Sequence, residues 1–78
     1  MTTLVATSKA APVRRATNNL RRLREWKGLT QHELAGKIGT MPLTIRRYEH
    51  GQQAIGEWDQ ARLSAFFGVS VDHLMGWR

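Results

Sequence analysis

Residues Thr30 to Gly51, TQHELAGKIGTMPLTIRRYEHG, decide how this chain is read. They spell two short helices joined by a tight turn. Thr30 is a good N-cap, and Glu33 three residues on completes a capping box, each side chain bonding the other's backbone N–H. Leu34, Ala35 and Ile38 then recur at helical spacing and give the first of the two helices its inner face. Ala35 is small where two helices approach closely. Gly39 sits where the chain must turn and takes a positive φ without a Cβ penalty. Pro42 suits the first position of the next helix, where its missing N–H would be unpaired anyway. A cap at Thr40, one residue earlier, leaves that start open by a residue. Ile45 and Tyr48, three apart, face back onto the first helix. Gly51 is the expected left-handed stop.

The flanks extend the same pattern. Residues 1–15 mix Thr, Ser, Ala and Lys with little periodicity, and Pro12 argues against an amphipathic targeting helix, so a flexible basic arm is expected. A helix should start near Thr17 or Asn18 as N-cap, with Ala16, Leu20, Leu23 and the stem of Lys27 on one face, and end at Gly28. Gln52 to Gly56 reads as a loop. A fourth helix runs from Glu57 to Phe67 and stops at Gly68. Ser70 caps a short fifth, with Val71, Leu74 and Met75 at helical spacing. No strand pattern, repeat or low-complexity tract competes. The expectation is an all-α, five-helix domain over residues 16–78, preceded by the 1–15 arm.

The spacing of Ala35, Gly39, Ile45 and Tyr48 resembles the helix-turn-helix of the Cro / lambda-repressor-like (XRE) DNA-binding family. The stretch FFGVSVDHLMG is similar to the end of many such domains, so the resemblance spans roughly Ala16–Met75. It implies a compact five-helix DNA-binding fold.

Charge agrees with a polyanion partner. The formal net charge is +6 over 78 residues, and ten of the twelve Lys and Arg lie before Gln52, against three acidic residues. From Gln52 onward, Arg62 and Arg78 face Glu57, Asp59 and Asp72. A basic first part beside a near-neutral end suggests polyanion contact, then partner contact. The chain has no cysteine, which excludes disulfides and thiolate metal sites and is compatible with a reducing cytoplasm. No apolar run approaches a membrane span. The size sits near the lower limit for a self-sufficient core.

On a helical wheel beginning at Pro42, Ile45 and Tyr48 fall on one side. Pro42, Leu43, Arg46, Arg47 and His50 fall on the other. A helix fits the major groove, and arginine pairs bidentately with guanine O6 and N7. Arg46 and Arg47 are therefore the best candidates for base readout, the plainer alternative being a solvated face or an Arg46–Glu49 pair. By resemblance the start of this helix points at base edges, which adds Met41, Pro42 and Leu43, with a thymine methyl as one target. Met41 as gap-filling packing is the alternative, and the family commonly carries Ser there.

Gln31 opens a helix where free N–H groups and the positive dipole end favour phosphate. The resemblance places a glutamine there against the DNA backbone. It adds Thr40, His50 and Gln52 to the phosphate set, with Gln52 and Gln53 standing where Lys or Arg is common. Arg14 and Arg15 on the arm are further candidates for phosphate or the minor groove. The family also pairs an arginine with a glutamate at the positions of Arg24 and Glu49, implying a partly buried structural bridge.

His32, His50 and His73 are too scattered for a metal site. No nucleophile has a recognisable base and orienting group, so neither catalysis nor a cofactor is expected. Trp58, Phe66, Leu74, Met75 and Trp77 form an apolar excess near the less basic end, suggesting a homodimer surface. The alternative is that all complete a small core; Leu63, Phe67 and Leu74 read most simply that way. The functional expectation is a homodimeric regulator on double-stranded DNA, with repression slightly ahead of activation. Its rival is an antitoxin or interaction module of the same fold that holds a toxin or another regulator.

Overall fold

Four of the five helices begin where a side chain or proline relieves unpaired N–H groups, and three end on a left-handed glycine. The computed structural model describes residues 18–76. Five helices follow one another: α1 Leu20–Trp26, α2 Gln31–Ile38, α3 Pro42–Glu49, α4 Glu57–Phe67 and α5 Val71–Met75. No strand occurs among the described residues. The all-α, five-helix expectation holds.

The α2–α3 junction follows the local chemistry closely. The Glu33 N–H donates to Thr30 Oγ1 at 3.0 Å, and the Thr30 N–H donates to Glu33 Oε1 at 2.8 Å. That bond from the Thr30 N–H, with its hydroxyl second, holds the Glu33 carboxyl below the usual carboxylate range. Gly39 is left-handed at φ 74°, a conformation that a Cβ would strain. Met41 takes the N-cap in extended geometry without a side-chain cap, and Pro42 is the first helical residue. That settles the start of α3 at Pro42 and removes Thr40 as its cap.

The start of α1 differs from expectation. The N-cap is Asn19 rather than Thr17 or Asn18. Asn18 Oδ1 accepts the Leu20 N–H at 3.0 Å in a local turn, while its Nδ2 donates to the Tyr48 carbonyl at 3.0 Å. Asn19 donates through its backbone N–H to the Leu74 carbonyl at 2.8 Å and through Nδ2 to the His73 carbonyl at 2.6 Å. These long-range bonds tie the entry of α1 to the ends of α3 and α5, and they outweigh the local capping preference. Ala16 and Thr17 lie outside the described residues. Lys27 is exposed rather than on an inner face, its Nζ standing 5.1 Å from the centre of the Phe66 ring.

The core gathers Leu20, Leu34, Ala35, Ile38, Ile45, Tyr48, Ile55, Leu63, Phe67 and Leu74. Leu20, Leu34, Ile45, Leu63 and Leu74 are fully buried, each contributing about 1.5–3 kcal/mol by removal from water. Ile55 lies in the segment read as a loop, yet it is buried and anchors the α3–α4 connection.

Candidate nucleic-acid interface

The inner face of α3 fixes what its outer face presents. Ile45 and Tyr48 are buried against the other helices, and Glu49 is buried beside them. The same rotation leaves Met41, Leu43, Arg46, Arg47 and His50 exposed, with Pro42 and Thr44 half-buried. Among the described residues, the ion pairs are Arg21–Glu25, Arg24–Glu49 and Arg62–Asp59. Neither Arg46 nor Arg47 belongs to one. The alternative pairing of Arg46 with Glu49 is absent because that carboxylate faces inward. Two cations thus stand side by side on the exposed stripe of an eight-residue helix.

Glu49 ties that stripe to the helices behind it. Arg24 donates from Nε to Oε2 at 2.6 Å and from Nη2 to Oε1 at 3.1 Å. Its Nη1 donates to the Leu29 carbonyl at 2.8 Å. The side chains are only 12% and 1% exposed. Charge-assisted, forked geometry of this kind is among the stronger polar contacts in proteins. The hydrogen bond to Glu49 raises the Arg24 pKa further above its ordinary value, against the opposing effect of burial. Gln31 joins the group, donating from Nε2 to Glu49 Oε1 at 3.0 Å. An amide nitrogen carries two hydrogens, and this bond uses one of them. The result is a bracket across α1, α2 and α3 that sets the α3 stripe and Gln31 in one frame.

A second tie crosses from α3 to α4. The Tyr48 hydroxyl donates to Asp59 Oδ2 at 2.5 Å, and Arg62 Nη1 reaches Asp59 Oδ1 at 3.3 Å. Burial, then the hydrogen bond to Asp59, pushes the Tyr48 phenol up. The sequence reading missed this contact. Its signal was available, since a buried tyrosine hydroxyl ordinarily needs a partner.

The remaining candidates divide. Thr40 is half-buried, while His50 and Gln52 are exposed just past α3. Arg14, Arg15 and Trp77 lie outside the described residues. Leu74 requires correction as an interface residue: it is fully buried in the core, out of a partner's reach. Phe66 and Met75 are half-buried and pack against that core, Phe66 lying edge-on to Phe67 at 5.0 Å between ring centres. Trp58 stands 80% exposed at the start of α4, and Trp26 is also exposed. No cluster of three potential metal ligands occurs among the described residues, and none of their helices is long and apolar enough to cross a membrane.

Two short helices joined at a left-handed glycine, the second braced from behind and basic in front, define a helix-turn-helix domain. The sequence profile of the family described as "Helix-turn-helix domain" matches residues 18–75, and the chain belongs to that family. Among solved structures, the clp gene regulator ClgR from C. glutamicum is similar, with a TM-score of 0.64 and 30% identity. The match covers 78% of this chain and 82% of that one. Comparison with curated proteins gives no match. The resemblance to XRE-type domains drawn from Ala35, Gly39, Ile45 and Tyr48 is thereby upheld.

Proposed function

We propose that the chain is a sequence-specific DNA-binding transcriptional regulator, acting as a homodimer on a two-fold-symmetric operator, with repression slightly favoured over activation. The observation that carries this reading is the stripe of Arg46 and Arg47. Two exposed guanidinium groups without carboxylate partners among the described residues sit on a helix narrow enough for the major groove. Membership of a helix-turn-helix family and likeness to a gene regulator support it. In this reading Arg46 and Arg47 take base edges, with Met41, Pro42 and Leu43 beside them. Gln31, Thr40, His50 and Gln52 take phosphates on either side.

Selection from a pool of random duplexes tests the proposal. An enriched motif with two half-sites about 34 Å apart is the expected outcome. Retention of unselected sequence at equal affinity would leave only nonspecific polyanion binding.

The dimer reading assigns Trp58, 80% exposed at the start of α4, to the subunit contact, where interfaces favour aromatics. Trp58→Gln should fold normally, since the ring has little packing to lose. Sedimentation should show self-association weakened by about 2 kcal/mol, as for a central aromatic anchor, with operator binding reduced in step. A wild type that stays monomeric at high concentration would instead favour a different protein partner at Trp58, as in the antitoxin reading.

A further inference from the structure

We propose that the N-terminal end of α3 reads thymine 5-methyl groups through Met41 and Leu43, so that each half-site carries thymine close to the base pairs taken by the arginines. This rests on the reading of α3 as the base-reading helix.

The exposed side chains between residues 40 and 44 are Met41 at 66% and Leu43 at 50%. Both are apolar, on an outer face that otherwise presents Arg46, Arg47 and His50. Neither is needed to close the core, which is complete without them. Met41 also occupies the N-cap at φ −102° and ψ 148° with no side-chain hydrogen bond. That backbone geometry suits Ser, Thr, Asp or Asn, which would satisfy a free helical N–H. The chain therefore forgoes both a cap and a soluble surface at this one place.

Groove chemistry supplies the reason. Base edges in the major groove offer hydrogen-bond donors and acceptors, and the thymine methyl is the apolar group among them. A recognition helix brings its N-terminal residues closest to base edges. Helical side chains lean toward the N-terminus, which carries Arg46 and Arg47 back over the same end. From Leu43 to Arg47 the axis advances roughly 6 Å, so both sets of side chains reach the same short stretch of groove. Thymine and guanine should thus lie near each other within one half-site. The adjacent cations select a polyanion, rather than an apolar protein surface, as the occupant of this patch.

The test uses duplexes selected by the wild-type chain, with each thymine replaced singly by deoxyuridine. Loss of one buried methyl should weaken binding about fourfold at one or two positions per half-site. The double variant Met41→Ser/Leu43→Ala should bind thymine and deoxyuridine duplexes alike at those positions. Met41→Ser alone should raise the unfolding midpoint by about 4–8 °C, because a cap is gained and no packing is lost. A selected motif without a deoxyuridine-sensitive thymine would overturn the inference while leaving sequence-specific binding intact. So would sensitivity that persists in the double variant, or a midpoint lowered by Met41→Ser. Failure of the wild type to select any motif would remove the DNA-reading proposal itself, and this inference with it.

Discussion

Glu49→Ala is expected to cost the domain about 3–5 kcal/mol of stability, as when one partner of a buried ion pair is removed. The carboxylate is almost wholly enclosed and accepts three hydrogen bonds from two side chains. Without it the Arg24 guanidinium stays in a largely desolvated position, with the Leu29 carbonyl as its remaining partner. Gln31 loses its anchor in the same step. Domains of this size are held by a margin of only about 5–15 kcal/mol, so the variant should unfold at much lower denaturant. A double-mutant cycle with Arg24→Ala isolates the pair from lost packing, and a coupling of about 0.5–3 kcal/mol is expected. Coupling indistinguishable from zero would mean that the two groups stabilise the fold independently. Replacing both by apolar residues of similar volume, as in Arg24→Met/Glu49→Leu, should recover much of the loss. DNA binding should follow the folded fraction, with a further deficit from the released Gln31.

Replacing Arg46 and Arg47 together by Ala should act oppositely, sparing the fold and removing recognition. Both side chains are exposed and outside the ion pairs described above, so the unfolding midpoint should move little. Each bidentate contact to guanine is worth about 1–3 kcal/mol of discrimination. The pair together should therefore cost about 2–6 kcal/mol on the selected operator. Random duplex should lose far less. A phosphate contact would behave differently, weakening all sequences alike and lowering the salt slope by about one per cation removed. Titrations of operator and random duplex at several salt concentrations separate the two roles.

These two variants mark the boundary of what the sequence made legible. The α2–turn–α3 unit was readable because its signals are local: Thr30 and Glu33 three apart, Gly39 at the turn, Pro42 at a helix start. The outward direction of Arg46 and Arg47 followed from the same periodicity. The partnership of Arg24 and Glu49, 25 residues apart, has no local signature and came from family resemblance. The start of α1 was misplaced for a related reason. Thr17 and Asn18 look like caps, but Asn18 and the actual cap, Asn19, are held by bonds to Tyr48, His73 and Leu74, which only the folded chain brings near. Periodicity also assigns a residue to a face without saying what covers that face. Leu74 was therefore placed at both core and interface, and the core took it. Ile55 was overlooked because a lone apolar residue in a loop has no period to reveal it.

The central claim is that α3 reads guanine through the major groove. Replacing single operator guanines by 7-deazaguanine tests it most directly, because the change removes the N7 acceptor and leaves Watson–Crick pairing intact. Binding of the wild type should fall about tenfold at one or more positions in each half-site. Either Arg46→Ala or Arg47→Ala should be indifferent to the change at the position it reads. Specific binding that no 7-deazaguanine disturbs, or that remains equally sensitive in both variants, would contradict the account.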